Sequence, residues 1–183
     1  DPSAGLAPAL QDFFSGVADV AAHPESVPSR QALLSSANAL SARFQDLDQQ
    51  LAQMRSTINA DIAGSIGQIN SYAQQIASLN QSIMAAESAA ALQPANDLRD
   101  QRDALIAALS QETRASVVRE SNGSYDVFIG NGQPVVVGSR AFALVATPSP
   151  EDPMQIEVGY QSGGTIALIA GTSLQGGTLG GLL

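Results

Sequence analysis

The sequence contains no cysteine and no lysine, and only 14% of its residues are charged. Without cysteine, the chain has neither a disulfide scaffold nor a thiolate metal site. Without lysine, it cannot form a phosphate-binding loop of the G-x-x-x-x-G-K-[ST] type. Arginines supply all eight positive charges, and the formal net charge of −9 argues against nucleic acid or an anionic membrane surface as a partner.

Long hydrophobic runs are also missing. No apolar run approaches the roughly 18 residues that span a bilayer, and no basic-then-apolar signal peptide opens the chain. The apolar fraction of 44% is nevertheless sufficient for a packed core, so a globular fold is expected. A length of 183 residues fits one domain, or a domain with a small appendage. The chain starts with Asp1 and stops at an apolar pair, and we interpret it as an excised fragment whose natural neighbours are missing at both ends.

The two halves of the chain have different apolar periods. Up to about residue 112 the apolar residues repeat with a helical period, and from about residue 114 they alternate as in strands. We therefore predict an α+β fold, in which a long-helix antiparallel bundle is followed by a small antiparallel β-rich part. The predicted division is a helical part over 1–113, a β-rich part over 114–170, and a glycine-rich return segment over 171–183 that leads to a truncated helix.

Three helices are predicted in the first half, over about 6–22, 28–90 and 97–112. Ser26 is the expected N-cap of the second helix, and a turn is expected at Pro94. The second helix carries a heptad seam, and a helix of this length must be packed along most of its length to be stable. The seam residues are Leu40, Phe44, Leu47, Leu51, Met54 and Ile58, followed after a stutter by Ile69, Ala73, Ile76 and Ile83.

Two glycines, Gly64 and Gly67, lie at this stutter. Each costs about 1 kcal/mol relative to alanine in a helix interior. One interpretation is that the helix simply tolerates them. The other is that the missing side chains permit a bend or the close approach of a second helix.

Six strands are predicted in the second half, separated by glycine-containing turns. The Asn-Gly pairs at 122–123 and 131–132 favour tight hairpin turns, because both residue types accept positive φ. The predicted strands are 115–120, 125–130, 134–138, 141–147, 154–160 and 165–169.

Charge is dense only in the third helix, which contains NDLRDQRDALIAALSQ at 96–111. Three aspartates in this block are the only candidates for a hard-cation site, but steps of three spread them around a helix and no EF-hand pattern is present. A structural role is the alternative, either as a solvated face or as a clamp within or between subunits. Pairs between Asp100 and Arg102, and between Arg99 and Asp103, are expected on this face. Asp97 is expected to complement the helix dipole.

No other part of the sequence predicts catalytic chemistry. The only histidine, His23, precedes a proline in a loop, and there is no nucleophile elbow or dinucleotide fingerprint. We therefore predict no catalytic, cofactor-binding or metal-binding residues, no cofactor, and no enzyme activity.

The same charged block carries a resemblance to a known family. Its D-L-R-D-Q-R-D-A-L segment at 97–105 closely resembles a motif of the flagellar hook-associated protein 1 family, the hook–filament junction proteins. Further stretches fit the same family in the same order along nearly the whole chain. These are LQDFFSGVADVAAHPES followed by SRQALL, INSYAQQIASLNQSI, NGSYDVFIGNGQPVVVG and GGTLGGLL.

This resemblance implies a structural subunit of the bacterial flagellum at the hook–filament junction. It implies export through the flagellar type III apparatus without a cleaved signal peptide, an extracellular location, and assembly into a ring. The implied partners are the hook protein and hook-associated protein 3, whereas the isolated fragment is expected to be monomeric. The alternative from the residues alone is a secreted coiled-coil binding module, such as an adhesin or effector fragment.

Overall fold

The computed structural model describes residues 5–89 and 95–183. It confirms the predicted fold class, because long helices are followed by small antiparallel sheets. The predicted turn at Pro94 lies outside the described residues. The chain forms two compact units, Asp1–Ser56 and Thr57–Leu183. The boundary between these two units lies within a helix. The division predicted at residue 113 instead marks a change from helix to strand, and as a domain boundary it stays a prediction.

Three long helices occupy the first part of the chain: α1 (Leu6–Ala22), α2 (Val27–Ala89) and α3 (Asn96–Glu112). The first ends at His23, whose backbone N–H bonds to the Asp19 carbonyl, just before the proline that disfavours a further turn. The second begins after Ser26, whose hydroxyl accepts a hydrogen bond from the Ser29 N–H at 3.3 Å. This is the expected N-cap, since it satisfies one of the unpaired donors of the first turn.

The first unit contains α1 and the beginning of α2. Gly16 of α1 lies against α2, where a Cβ atom would be 3.4 Å from Leu33 Cα and from the Ser36 hydroxyl. None of the described residues 5–56 is fully buried. A pair of helices with so little enclosed surface gains little from burial, because the hydrophobic contribution scales with the apolar area removed from water.

The second unit contains the remainder of α2, then α3 and, among its described residues, seven strands in two antiparallel sheets. The strands are β1 (Ala115–Arg119), β2 (Tyr125–Ile129), β3 (Gln133–Val137), β4 (Arg140–Ala141), β5 (Leu144–Pro148), β6 (Ile156–Ser162) and β7 (Thr165–Ile169). The first sheet has the order β1-β2-β3-β4 and the second β5-β6-β7. A 3₁₀ turn (Gly171–Ser173) and the short helix α4 (Gly177–Leu182) follow.

The strand predicted over 141–147 is wrong as a single element. The backbone N–H of Phe142 still bonds to Val135 in the first sheet, whereas the carbonyl of Ala143 accepts a bond from Gln161 in the second. The chain therefore crosses from one sheet to the other between two consecutive residues. Alternation of apolar residues continues through the crossing, so the pattern gives no sign of the change of partner.

The core of the second unit lies where α2 and α3 meet the two sheets. Its buried residues come from all of these elements and from the C-terminal segment. They are Ile62, Ile66, Ile69, Ala73, Ile76, Ala77, Leu109, Val127, Ile129, Val135, Val136, Leu144, Val158, Ile169, Leu174 and Leu179. A β-bulge in the β2–β3 pairing, between Val127 and Phe128, accompanies the burial of two consecutive residues, Val135 and Val136.

The two glycines at the stutter lie on the exposed side of α2. A Cβ atom added to Gly64 or Gly67 would have no neighbouring atom within 4 Å. The proposed close approach of a second helix is therefore not found at either position. In the described chain the glycines are accommodated within one continuous helix.

Candidate functional site

The charged block of α3 divides into an exposed acidic side and two arginines directed toward the rest of the unit. Asp97, Asp100 and Asp103 are exposed. Arg99, in contrast, places its Nη2 atom 2.6 Å from the Glu87 carboxylate on α2. The pairing predicted between Arg99 and Asp103 is thus replaced by a bond that joins two helices.

Arg102 is the most unusual residue of the block, because its side chain is only 1% exposed. Its Nη1 atom donates to the Asn80 side-chain oxygen at 2.9 Å and to the Gly123 carbonyl at 3.0 Å. The guanidinium also lies 3.5 Å from the centre of the Tyr125 ring, within the range of a cation–π interaction. Pairing with Asp100, as predicted, is incompatible with this position. Arg102 is part of a clamp within the subunit, not of a solvated face.

Burial lowers the pKa of the Arg102 guanidinium, since a charge is costly away from water. The Tyr125 and Asp103 side chains are among the groups that oppose this shift. The charge is stabilised by dipoles and an aromatic face, and the Nε atom remains buried without a hydrogen-bond partner. A buried cation of this kind gives little net stability but is strongly destabilising to disrupt.

Asn80 on α2 completes this arrangement, which we call the Arg102 node: Arg102, Asn80, Gly123 and Tyr125. The Asn80 amide nitrogen donates to the Tyr125 and Gly138 carbonyls at 2.8 and 2.7 Å. Its oxygen accepts from the Tyr125 N–H at 3.1 Å as well as from Arg102. One side chain from α2 therefore fixes α3 and the first sheet at once.

Two further asparagines of α2 bind strands of the second sheet in the same manner. Asn70 exchanges two bonds of 2.8 Å with the backbone of Leu144. Asn59 donates to the Met154 carbonyl at 2.7 Å and accepts from the Ile156 N–H at 3.1 Å. Asn59 and Asn70 are eleven residues apart, which corresponds to three helical turns and places both on one face.

These three asparagines were missed at the sequence level. A signal was available, because asparagine is a poor helix former and competes for backbone bonds. Asparagines inside an apolar-periodic helix therefore indicate specific backbone partners, as found for these three of the four in α2. The identity of the partner strands is not encoded locally.

The heptad seam of α2 differs in burial between the two units. In the second unit Ile69, Ala73, Ile76 and Ile83 are buried, as predicted, whereas Ile58 is 44% exposed. In the first unit Phe44, Leu51 and Met54 are exposed by 51%, 60% and 57%. The expectation that α2 is packed along most of its length is therefore wrong for this segment within the described chain, although the apolar spacing of a coiled-coil surface is retained.

Across the whole chain, the sequence matches the model of the family described as flagellar hook-associated protein FlgK helical domain, over residues 1–183. The chain belongs to this family. The resemblance found in the sequence is thereby confirmed. This member of the family combines the Arg102 node, the asparagine contacts and the seam in one chain.

Individual relatives agree with the family assignment. The chain is 37% identical to flagellar hook-associated protein 1 of Salmonella typhimurium (strain LT2) over 185 residues, covering 100% of this chain and 33% of the relative. It is also 37% identical to the Escherichia coli K12 protein of the same name over 183 residues, covering 99% of this chain and 33% of the relative. The chain therefore spans about a third of the length of these relatives.

A solved structure, described as the flagellar hook junction protein FlgK from Burkholderia pseudomallei, is similar in fold. It matches with a TM-score of 0.89 and 37% sequence identity, covering 100% of this chain and 33% of that one. These relatives are named for a part of the flagellum and not for a reaction.

The remaining candidates for catalytic or metal-binding chemistry lie outside the Arg102 node. His23 is exposed, and its Nδ1 atom lies 3.2 Å from the Asp19 carboxylate. Within residues 5–89 and 95–183, no three acidic or histidine side chains are arranged so that they could hold a metal ion. No helix of the same ranges is both long and apolar enough for a bilayer.

Proposed function

We propose that the chain is part of a structural subunit at the hook–filament junction of the bacterial flagellum. It connects hook to filament through subunit packing and catalyses no reaction. The family assignment and the names of the relatives support this proposal. The partners are the hook protein and hook-associated protein 3, and copies of the subunit associate in a ring.

The single observation that carries the proposal is the exposed seam of the first unit. Phe44, Leu51 and Met54 keep the spacing of a helix–helix interface, yet each is more than half exposed. Exposed apolar stripes of this kind mark interaction surfaces or aggregation-prone sites. A heptad seam fits another helix better than a strand or a small ligand, because its knobs require the matching holes of a helix.

The location follows from the same proposal. The protein acts outside the cell, after export through the flagellar type III apparatus without a cleaved signal peptide. It needs no cofactor, nucleic acid or membrane for this role. The isolated region 1–183 is monomeric, and its seam acquires partners only in the assembled flagellum.

Deletion of the gene tests the proposal directly. We expect cells with hooks but without attached filaments, and flagellin released into the medium. Complementation with the full-length wild-type gene should restore filaments, whereas a Leu51→Asp/Met54→Asp double variant should restore them poorly. Normal filaments in the deletion strain would refute the junction function and favour a secreted binding module.

A further inference from the structure

The β5–β6 loop, residues Ser149–Gln155, is held by an unusually complete set of hydrogen bonds. The Ser149 N–H donates to the Gln155 carbonyl and the Gln155 N–H to the Asp152 carbonyl, both at 2.8 Å. The Met154 N–H donates to the Asp152 carboxylate at 3.0 Å, and the Glu151 N–H to the Ser149 hydroxyl at 3.3 Å. Two prolines within the loop further restrict its backbone.

This loop is also attached to α2 from outside. The Asn59 amide binds the Met154 carbonyl and the next backbone N–H beyond the loop, that of Ile156. The backbone at Met154 is therefore fixed, while the Met154 side chain is 67% exposed and Glu151 is exposed. A loop ordered before binding loses little conformational entropy on contact, and methionine adapts its shape to an apolar surface.

A surface of complementary chemistry lies on β1, the edge strand of the first sheet. Val117 and Val118 are 39% and 49% exposed, and exposed Arg114 and Arg119 flank them. Within the described chain β1 pairs on one side only, with β2. Successive side chains of a strand point to opposite faces, so Val117 and Arg119 share one face of β1 and Arg114 and Val118 the other. A valine beside an arginine on one face is suited to a methionine beside a carboxylate. The segment 141–183 that carries the loop contains no positive residue.

We propose that the β5–β6 loop of one copy docks on the β1 edge of a neighbouring copy, with Met154 against Val117 and Glu151 paired with Arg119. This inference rests on the proposed function and names two surfaces through which the ring subunits meet. The two surfaces are different parts of one chain, so the contact is heterologous. Repeated heterologous contacts close into a ring when the rotation between copies permits.

The contact is too small to hold two free copies together. One loop against one strand buries far less than the roughly 1,000 Å² expected of a stable interface. The isolated region therefore stays monomeric. In the assembly other contacts raise the effective concentration of the two surfaces, and the loop then fixes the spacing between neighbours.

Disulfide cross-linking tests the contact in assembled flagella. The described region contains no cysteine, so Met154→Cys and Val117→Cys can be introduced together into a full-length protein that has no other cysteine. Mild oxidation should give a ladder of multimers for the double variant and none for either single variant. The pair Met154→Cys/Asp46→Cys, which joins the loop to an exposed residue of α2, serves as the control and should give no ladder.

Two outcomes would overturn the inference. One is a double variant that attaches filaments normally but forms no ladder, which leaves the junction function intact. The other is cross-linking of the loop to a different flagellar protein. Failure of the proposed function is seen separately, because it requires normal filaments in the deletion strain.

A charge exchange provides an independent measurement that does not depend on cysteine reactivity. Glu151→Arg and Arg119→Glu should each reduce the fraction of cells with attached filaments, and the double exchange should recover most of the loss. Asp46→Arg, a charge reversal in the first unit, should have no effect. Equal defects in the single and double exchanges, with unchanged circular dichroism, would contradict the proposed pairing.

Discussion

At the residue scale, the structural importance of a side chain here does not follow from its polarity. Asn80 and Arg102 are among the most buried residues of the chain, at 0% and 1% exposure, whereas Leu51 is 60% exposed. Burial of this polar pair is tolerated because its hydrogen bonds supply partners to backbone groups of the first sheet and join α2 to α3. Buried polar groups with several hydrogen bonds fix one geometry, since loss of a bond inside the protein is costly.

Replacement of Asn80 by alanine should therefore be severe. The substitution removes the partners of the Tyr125 N–H, two carbonyls and the Arg102 guanidinium. At about 1–3 kcal/mol for each unsatisfied buried group, partly relieved by water, we expect a loss of at least about 3 kcal/mol in the free energy of unfolding. Urea denaturation followed by circular dichroism measures it. Gln75→Ala, at an exposed position of the same helix, should change stability by less than about 0.5 kcal/mol.

At the element scale, the residues of α3 that stabilise the fold are different from those that carry its surface charge. Leu109 is fully buried, whereas Asp100 on the opposite side is exposed. The helix is held by Leu109, by Arg102 and by the bond from Arg99 to Glu87. Its aspartates contribute little to the fold of the isolated chain.

Two substitutions in α3 should therefore differ sharply. Leu109→Asp places a carboxylate in the core and should lower stability by more than about 4 kcal/mol or prevent folding. Asp100→Asn should alter the free energy of unfolding by less than about 0.5 kcal/mol. If thermal denaturation showed that Asp100→Asn unfolds the chain, the exposed role of this aspartate would be wrong.

A glycine of α2 and the glycine after β2 give a second contrast at this scale. Gly64→Ala should stabilise the chain by up to about 1 kcal/mol, because the position is helical and a Cβ atom meets open space. Gly130→Ala should destabilise it, since Gly130 has a φ of +54° and an added Cβ atom would clash with the Ser173 carbonyl. Equal midpoints of urea unfolding for the two variants would contradict this account.

Local patterns account for what could be predicted from sequence. The helices and most strands follow from apolar period and from turn residues such as Asn-Gly, all of which act over a few positions. The crossing at Phe142–Ala143 and the Arg102 node depend on partners distant in the chain, so no local pattern contains them. The charged block was therefore located correctly, but its two arginines were assigned the wrong partners.

At the scale of the whole molecule, one seam serves two purposes. In the second unit its residues from Ile69 to Ile83 are buried. In the first unit Phe44, Leu51 and Met54 are exposed, and none of the described residues 5–56 is buried. An apolar-to-polar substitution in the seam should therefore impair assembly when it lies in the first unit, and chain stability when it lies in the second.

Replacing Leu51 by glutamine should leave the stability of the isolated chain within about 0.5 kcal/mol of the wild type, because the side chain is already in water. Replacing Ile76, which is 0% exposed, by glutamine should cost more than about 3 kcal/mol. Urea denaturation of both variants distinguishes them. In the full-length protein we expect Leu51→Gln to impair filament attachment, and equal losses of chain stability in both variants would contradict the separation of roles.

The contacts made by Asn59, Asn70 and Asn80 have an evolutionary consequence. Each amide bonds to backbone groups of a strand and is indifferent to the side chains that the strand carries. Outward-facing strand positions can therefore accept substitutions freely while the strands stay docked at fixed points, with Asn59 and Asn80 about 30 Å apart along α2. We expect the three asparagines to vary less among relatives than the strand surfaces they hold, which leaves those surfaces free to adapt to new neighbours.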